Sequence, residues 1–319
     1  MNPITPTPLI TLLVPCHNEA AALDPLLAAL RPVLGGLPGY RFELLFVDDG
    51  STDDTLARLL DLAAQDTRVR VVELSRNFGK EAALSAGLDA ARGDAVIPLD
   101  ADGQDPPELL GDMLTLWARG FEVVLARRVN READVWLKRT SAGMFYALHN
   151  AISSVQIPDN VGDFRLMDRA VVEAVRRLPE RQRFMKGLFT WVGFRQTTLD
   201  YVRPARLHGA TKFSPARLWN FALEGITSFS VVPLKVWTYV GLAGALFSTS
   251  YAAFIFGRVL LYGIDVPGYA SLLVTVLFLG SLQLISVGIL GEYIGRIYME
   301  AKQRPVYIVR RTHGGEDGA

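Results

Sequence analysis

Two long apolar runs, residues 236–261 and 269–294, constrain this chain more than any other feature. Each is about 26 residues long, and an α-helix needs only about 20 apolar residues to cross the hydrocarbon of a bilayer. Charges keep to the ends: Lys235 and Arg258 flank the first run, Glu292 and Arg296 close the second. Long basic side chains reach the membrane surface from such positions. Core helices of a soluble protein would be shorter and more often charged, so the pattern predicts a transmembrane hairpin over 231–296. The connecting Tyr262-Gly263-Ile264-Asp265-Val266-Pro267-Gly268 has no Lys or Arg, whereas Arg296, Lys302, Arg304, Arg310 and Arg311 follow the second run. The positive-inside rule then places a basic tail, 297–319, in the cytoplasm and the loop outside. Upstream, Leu218, Phe221, Ala222, Gly225, Ile226 and Phe229 recur at helical spacing. They predict an amphipathic helix over 214–230, lying in the membrane interface or packed on the preceding domain.

The remainder excludes several classes. Lys plus Arg and Asp plus Glu both number 33, which gives no field for nucleic acid. One cysteine, Cys16, rules out an internal disulfide framework, and the four histidines have no zinc-ligand spacing. The first residues lack a basic start and a long apolar core, so no signal peptide is expected and the first domain, 1–213, is expected in the cytosol with both termini.

Within that domain apolar runs at 10–14, 42–47, 69–74, 95–99 and 122–126 read as strands, separated by helical patterns such as Leu23, Leu26, Leu27, Leu30 and Leu34. Alternating strands and helices predict an α/β domain with a mainly parallel sheet. Ser51 or Thr52 is placed to cap the second helix, with Asp53 and Asp54 in its first turn. The chain has no G-x-G-x-x-G, no P-loop and no G-x-S-x-G, which weakens dinucleotide, P-loop and hydrolase readings.

Three strand ends carry polar loops: Pro15-Cys16-His17-Asn18-Glu19, Asp48-Asp49-Gly50-Ser51 and Asp100-Ala101-Asp102. In a parallel sheet these ends share the edge where ligands bind. A lone D-x-D is often only an acidic turn, but three convergent polar loops point to a site. Two carboxylates there suit a hard cation such as Mg²⁺, completed by substrate phosphates. The chemistry predicted is that of a nucleotide diphosphate site.

Pro15-x-x-Asn18-Glu19, Val47-Asp48-Asp49-Gly50-Ser51-Thr52-Asp53, Arg76-Asn77-Phe78-Gly79-Lys80 and the stretch Leu99-Asp100-Ala101-Asp102-Gly103-Gln104-Asp105-Pro106-Pro107 resemble family-2 glycosyltransferases of the GT-A fold. Gly162-Asp163-Phe164-Arg165-Leu166-Met167, Arg206-x-x-Gly209-x-Thr211-Lys212-Phe213 and Gly291-Glu292-Tyr293-Ile294-Gly295-Arg296 resemble its bacterial polyprenyl-phosphate branch, which glucosylates undecaprenyl phosphate. The resemblance runs from about residue 9 to 311 in consistent order. It implies a Rossmann-like GT-A domain, an interfacial helix and a membrane hairpin. The implied reaction is inverting transfer of a hexose from a UDP-sugar to the lipid phosphate at the cytoplasmic face of the inner membrane.

The resemblance also implies roles. Asp163 and Asp102 would be catalytic, with Asp163 the base or orienting carboxylate for the acceptor. Pro15, Asn18, Glu19, Asp48, Asp49, Arg76, Lys80, Asp100 and Ala101 would bind the nucleotide-sugar, Asp48 and Asp49 at uracil and ribose. Asp100, Asp102 and Gln104 would hold Mg²⁺ or Mn²⁺. Arg128, Lys138, Arg139, Arg165, Arg206 and Lys212 are candidates for the acceptor phosphate or the diphosphate, because guanidinium forks match phosphate oxygens. Cys16-His17 departs from the family pattern and receives no role; Cys16 reads as a small buried apolar residue. Plainer alternatives stand beside these: an internal ion pair at Asp163-Phe164-Arg165, a solvated edge at Arg127 and Arg128, an ordinary turn at 209–212. Glu292 and Arg296 read as an i,i+4 pair, and Gly291-x-x-x-Gly295 permits close helix packing and a homo-oligomer.

Other functions fit less well. A processive polysaccharide synthase would carry Q-x-x-R-W, which is absent. Mannosyl transfer from GDP-mannose, or transfer of galactose, N-acetylglucosamine or an aminoarabinose derivative, stays open beside glucose. An inactive nucleotide-sugar-binding scaffold is the non-enzyme alternative, and a lipid channel lacks buried charge in its two spans.

Overall fold

A computed structural model describes residues 7–129, 161–181, 183, 185–202, 232–263 and 268–315. Its centre is a sheet of eight strands with helices on both faces. In chain order the described elements are β1 (Leu9–Cys16), α1 (Ala20–Gly35), β2 (Arg41–Asp48), α2 (Thr55–Gln65), β3 (Val69–Leu74), α3 (Lys80–Ala90), β4 (Ala95–Pro98) and α4 (Leu110–Ala118). Then come β5 (Val123–Arg128), β6 (Val161–Asp168), α5 (Arg169–Arg176), α6 (Met185–Trp191), β7 (Gln196–Tyr201), α7 (Val232–Tyr262), α8 (Tyr269–Ala301) and β8 (Val309–Gly314).

The apolar runs become central strands because both of their faces are covered. Successive side chains of a strand point to opposite faces, so Ile10, Leu12 and Val14 join the core under α1, α2 and α4, whereas Leu13 joins the core under α3, α5 and α6. The predicted stripe of α1 is buried at Leu23, Leu26, Leu27, Leu30 and Leu34.

Strand order is β7-β5-β6-β4-β1-β2-β3-β8. The β4-β1-β2-β3 block is parallel, as the alternation predicts. The flanks depart from it. The fifth strand does not neighbour β4; β6 lies between them, antiparallel to both. That arrangement turns the start of β6, with Asp163, toward the C-terminal end of β4. Residues 309–314, read as part of a basic tail, instead form β8, antiparallel to β3. Arg310 Nη1 reaches Glu73 Oε1 at 2.9 Å, and the Tyr307 hydroxyl donates to Asp89 Oδ2 at 2.6 Å. The partner of β8 lies some 240 residues upstream, so no local pattern reveals the pairing.

Helices α7 and α8 are long and apolar enough to cross a membrane, and none of the apolar window of either is buried by protein. Phe247, Phe254 and Leu284 stand exposed on them. Such continuous apolar surface calls for a membrane. Glu292 and Arg296 form the predicted i,i+4 pair at 3.0 Å. The amphipathic segment 214–230 and the candidates Lys138, Arg139, Arg206 and Lys212 lie outside the described residues.

Candidate active site

The loops after β1 and β2 are sewn together by hydrogen bonds. Asn18 adopts φ 57°, and its Oδ1 accepts from Thr52 N at 2.8 Å and Asp53 N at 3.3 Å. Asn18 N donates to Ser51 Oγ at 3.1 Å, and Glu19 N to Thr55 Oγ1 at 2.9 Å. Asn18, read as a nucleotide-sugar ligand, therefore uses its side-chain oxygen to shape the loop. The expected cap shifts for the same reason. With Ser51 and Thr52 engaged by Asn18, α2 starts at Thr55, whose N–H and Oγ1 donate to Asp53 Oδ1 at 3.0 and 2.5 Å.

The adjacent carboxylates Asp48 and Asp49 are both buried but differ in what they hold. Asp49 Oδ1 accepts from Phe78 N at 2.7 Å and Oδ2 from Gly79 N at 2.9 Å. It grips the segment leading to Lys80 rather than presenting two open oxygens to a uridine. Asp48 Oδ2 accepts from Ser51 N at 3.3 Å, while Oδ1 has no hydrogen-bond partner among the described residues. Burial pushes the Asp48 carboxyl up, against the opposing pull of the Ser51 hydrogen bonds. An orphaned buried acceptor wants a donor, which leaves Asp48 as the carboxylate with capacity for a ligand. Gly50 holds φ 61°, and a Cβ there would strike the backbone of Arg76 and lie 2.5 Å from Asn77 N. Only glycine lets these two loops touch. Arg76 folds over its own segment, its guanidinium 4.1 Å above the Phe78 ring.

Lys80, at the start of α3, joins the loop after β4 to the start of β6. Its Nζ lies 2.6 Å from Asp100 Oδ1 and 2.8 Å from Asp163 Oδ2. Burial pulls the ammonium pKa down, but Asp100 and Asp163 outweigh it and hold the pKa above its ordinary value. The 100–105 loop is braced from within. Asp100 N donates to Asp105 Oδ2 at 3.0 Å, and Gln104 N to Asp102 Oδ1 at 3.1 Å. Asp105, a residue given no role from the sequence, is buried. Burial, with Asp100 beside it, raises its carboxyl to about 7. Its place within the D-x-D stretch was the available signal. Asp102 and Asp105 line a small cleft of about 80 Å³ together with Glu19, Ala101 and the first turns of α1.

On β6, Asp163 and Arg165 share the face turned toward α3, two residues apart. Arg165, read as a phosphate ligand, is only 3% exposed. Its Nη2 donates to Gly162 O at 2.8 Å and its guanidinium lies 4.6 Å over Phe189. Burial pulls it down to about 10, with Asp163 and Glu81 opposing. It supports the start of β6, with Asp163, from beneath instead of facing solvent. Arg128 remains near the site: its Nη2 would meet a Cβ on Gly162 at 2.9 Å, so glycine makes room for the guanidinium beside Asp163. Arg127 pairs with Asp200 at 2.6 Å on the exposed edge. Pro15 lies in register with Val47. Cys16 is buried, which pushes its thiol far up and removes it as a nucleophile. His17 Nδ1 lies 2.9 Å from Asp49 O.

Among the described residues no three His, Cys, Asp or Glu side chains converge as a ready-made cage for a metal ion. The donor set nonetheless fits Mg²⁺ or Mn²⁺. Asp100 and Asp102 are hard oxygen donors, and the buried Gln104 Oε1 has no hydrogen-bond partner among the described residues. A partial protein shell is what such cations use when substrate phosphates complete it.

Residues 11–176 match the model of glycosyl transferase family 2. The chain belongs to that family. Its sheet is accordingly that of the GT-A fold. A bactoprenol glucosyl transferase derived from an SfII prophage of Shigella flexneri is 50% identical, over 96% of this chain and 99% of the relative. The bactoprenol glucosyl transferase of Shigella phage SfV is 50% identical over 94% of this chain and 98% of its own. An uncharacterized glycosyltransferase of Synechocystis is likewise 50% identical, over 96% of each chain.

Proposed function

We propose that this family-2 glycosyltransferase moves glucose, with inversion, from UDP-glucose to undecaprenyl phosphate at the cytoplasmic face of a bacterial inner membrane. The observation that carries the reading is half identity, over nearly the whole of both chains, to bactoprenol glucosyl transferases. The site chemistry agrees. Asp48 offers a buried acceptor to the base or ribose. Asp100, Asp102 and Gln104 would hold Mg²⁺ or Mn²⁺, and a divalent cation there neutralises charge that builds on the departing diphosphate. Asp163 orients the acceptor. A phosphate monoester has a second pKa near ~6, so the nucleophile is already largely anionic and Asp163 need not be a strong base. Arg128, beside Asp163, suits the acceptor phosphate.

The pairing of β8 with β3 supports the predicted topology. The chain leaves the catalytic domain before α7 and rejoins its sheet after α8, so two membrane crossings must return it to the side it left. This favours cytoplasmic placement of the catalytic domain and both ends, with domains at 1–213, 214–230 and 231–296, and a 297–319 segment returning to the first domain. The decisive experiment incubates membranes carrying the protein with undecaprenyl phosphate and a panel of labelled nucleotide-sugars under Mg²⁺ or Mn²⁺. Lipid-linked glucose from UDP-glucose is expected. Absence of any lipid-linked sugar overturns the reading, and nucleotide-sugar binding without turnover would favour a scaffold.

A further inference from the structure

The Lys80 ammonium bridges two carboxylates that the reaction needs separately. It sits 2.6 Å from Asp100, of the metal pair, and 2.8 Å from Asp163, of the acceptor side. Its position is imposed from behind, because Asp49 grips the amides of Phe78 and Gly79 just before the first turn of α3. Lys80 itself keeps freedom: its side chain is 44% exposed, on a flexible four-carbon stem. We propose that Lys80 is a positioning residue that makes metal binding depend on the donor. In the arrangement seen, its ammonium neutralises Asp100 and ties it to Asp163. The donor diphosphate draws the ammonium to itself, which releases Asp100 to the metal and Asp163 to the acceptor.

Three physical points carry this. A divalent cation approaching Asp100 meets a positive charge already seated on one of its oxygens, and in a half-buried site that repulsion is weakly screened. A diphosphate brings negative oxygens that compete for an ammonium, a point charge well suited to them. The coupling is reciprocal, so the bound diphosphate and the bound metal each tighten the other by the same factor. Premature metal capture and a prematurely exposed Asp163 are suppressed by the same side chain. The inference rests on the reading of Asp100 and Asp102 as metal carboxylates.

The test measures Mn²⁺ affinity directly, by electron paramagnetic resonance of unbound Mn²⁺, on the full-length protein with and without UDP. For the unmodified protein, UDP should tighten Mn²⁺ binding by about tenfold or more. Lys80→Met should bind Mn²⁺ about tenfold more tightly without UDP, and the enhancement by UDP should shrink by about the same factor to what direct ligation by the diphosphate supplies. Lys80→Arg, which keeps the charge, should restore the dependence on UDP, an outcome that a merely structural role would not produce. Lys80→Gln serves if Lys80→Met does not fold. Asp102→Asn separates the two failures. If it abolishes Mn²⁺ binding while Lys80→Met or Lys80→Gln binds like the unmodified protein in both conditions, the Lys80 proposal alone falls. If Asp102→Asn binds Mn²⁺ normally, the metal reading falls and takes the proposal with it.

Discussion

The same sheet buries charge at both of its edges, and the two clusters are built differently. At the N-terminal ends of the parallel strands Glu43 is enclosed. Its Oε1 accepts from Arg70 Nη1 at 2.5 Å, and its Oε2 from Thr11 Oγ1 at 2.5 Å and Arg92 N at 3.1 Å. The side chains of Arg70 and Glu43 are 8% and 7% exposed. At the C-terminal ends Lys80 holds Asp100 and Asp163 in a cluster open to solvent, and on the same strand-end loops Asp48 Oδ1 and Gln104 Oε1 have no hydrogen-bond partner among the described residues. Charge chemistry alone does not distinguish a site from a structural tie. The acceptors do: the Glu43 carboxylate is filled from within, although Arg70 Nε has no hydrogen-bond partner among the described residues, and it holds the fold, whereas acceptors left over await a ligand.

The sharpest way to break this contrast is to open the closed cluster. Glu43→Ala leaves the Arg70 guanidinium buried without its carboxylate, and should destabilise the protein by about 3–5 kcal/mol. Thermal unfolding in detergent checks it, and transfer activity per folded molecule should stay near that of the unmodified protein. The converse change, Asp102→Asn at the open cluster, should lower transfer by about 10²–10³-fold with little change in unfolding temperature. If both variants lost stability equally, the distinction between the edges would fail.

Gly50→Ala tests whether the open edge depends on its loop contact. A left-handed φ and the collision with the Arg76 backbone should together remove about 2 kcal/mol of stability and weaken UDP binding measured by calorimetry. The smallest effect concerns pH. Burial raises the Asp105 carboxyl to about 7 in the fold, against about 3.9 in an unfolded chain. Across that window the folded state holds the extra proton, so stability falls as pH rises through it. In metal-free protein, Asp105→Asn should reduce the loss of unfolding temperature between pH 5 and pH 8; an unchanged slope would assign the effect elsewhere.

How legible each element was follows from how local its cause is. The apolar runs of β1, β2 and β4 and the polar residues that end them were readable because burial on two faces leaves a continuous pattern. Strand β6 was not read as a strand, since Gly162, Asp163 and Arg165 interrupt its apolar residues. In the fold Phe164 and Leu166 fill one core, and the intervening Asp163 and Arg165 face α3. That alternation carries Asp163, read as a catalytic carboxylate, to Lys80 and buries Arg165, read as a phosphate ligand, beneath it. Asn18 and Asp49 sit in the expected motifs, yet their oxygens accept backbone N–H groups from residues some 30 positions away. A motif shows that such a residue is required but not which atoms it meets.

The sequence by itself determined the two membrane-length helices, the parallel βα core and the polar edge on which the D-x-D loop lies, because each arises from short-range periodicity and the polarity that ends it. Tertiary structure alone decided which carboxylates are used internally and which stay open, where β6 and β8 join the sheet, and that Lys80 spans the metal and acceptor sides. Those outcomes depend on strand register and on hydrogen-bond satisfaction between distant segments, which exist only once the chain has closed on itself.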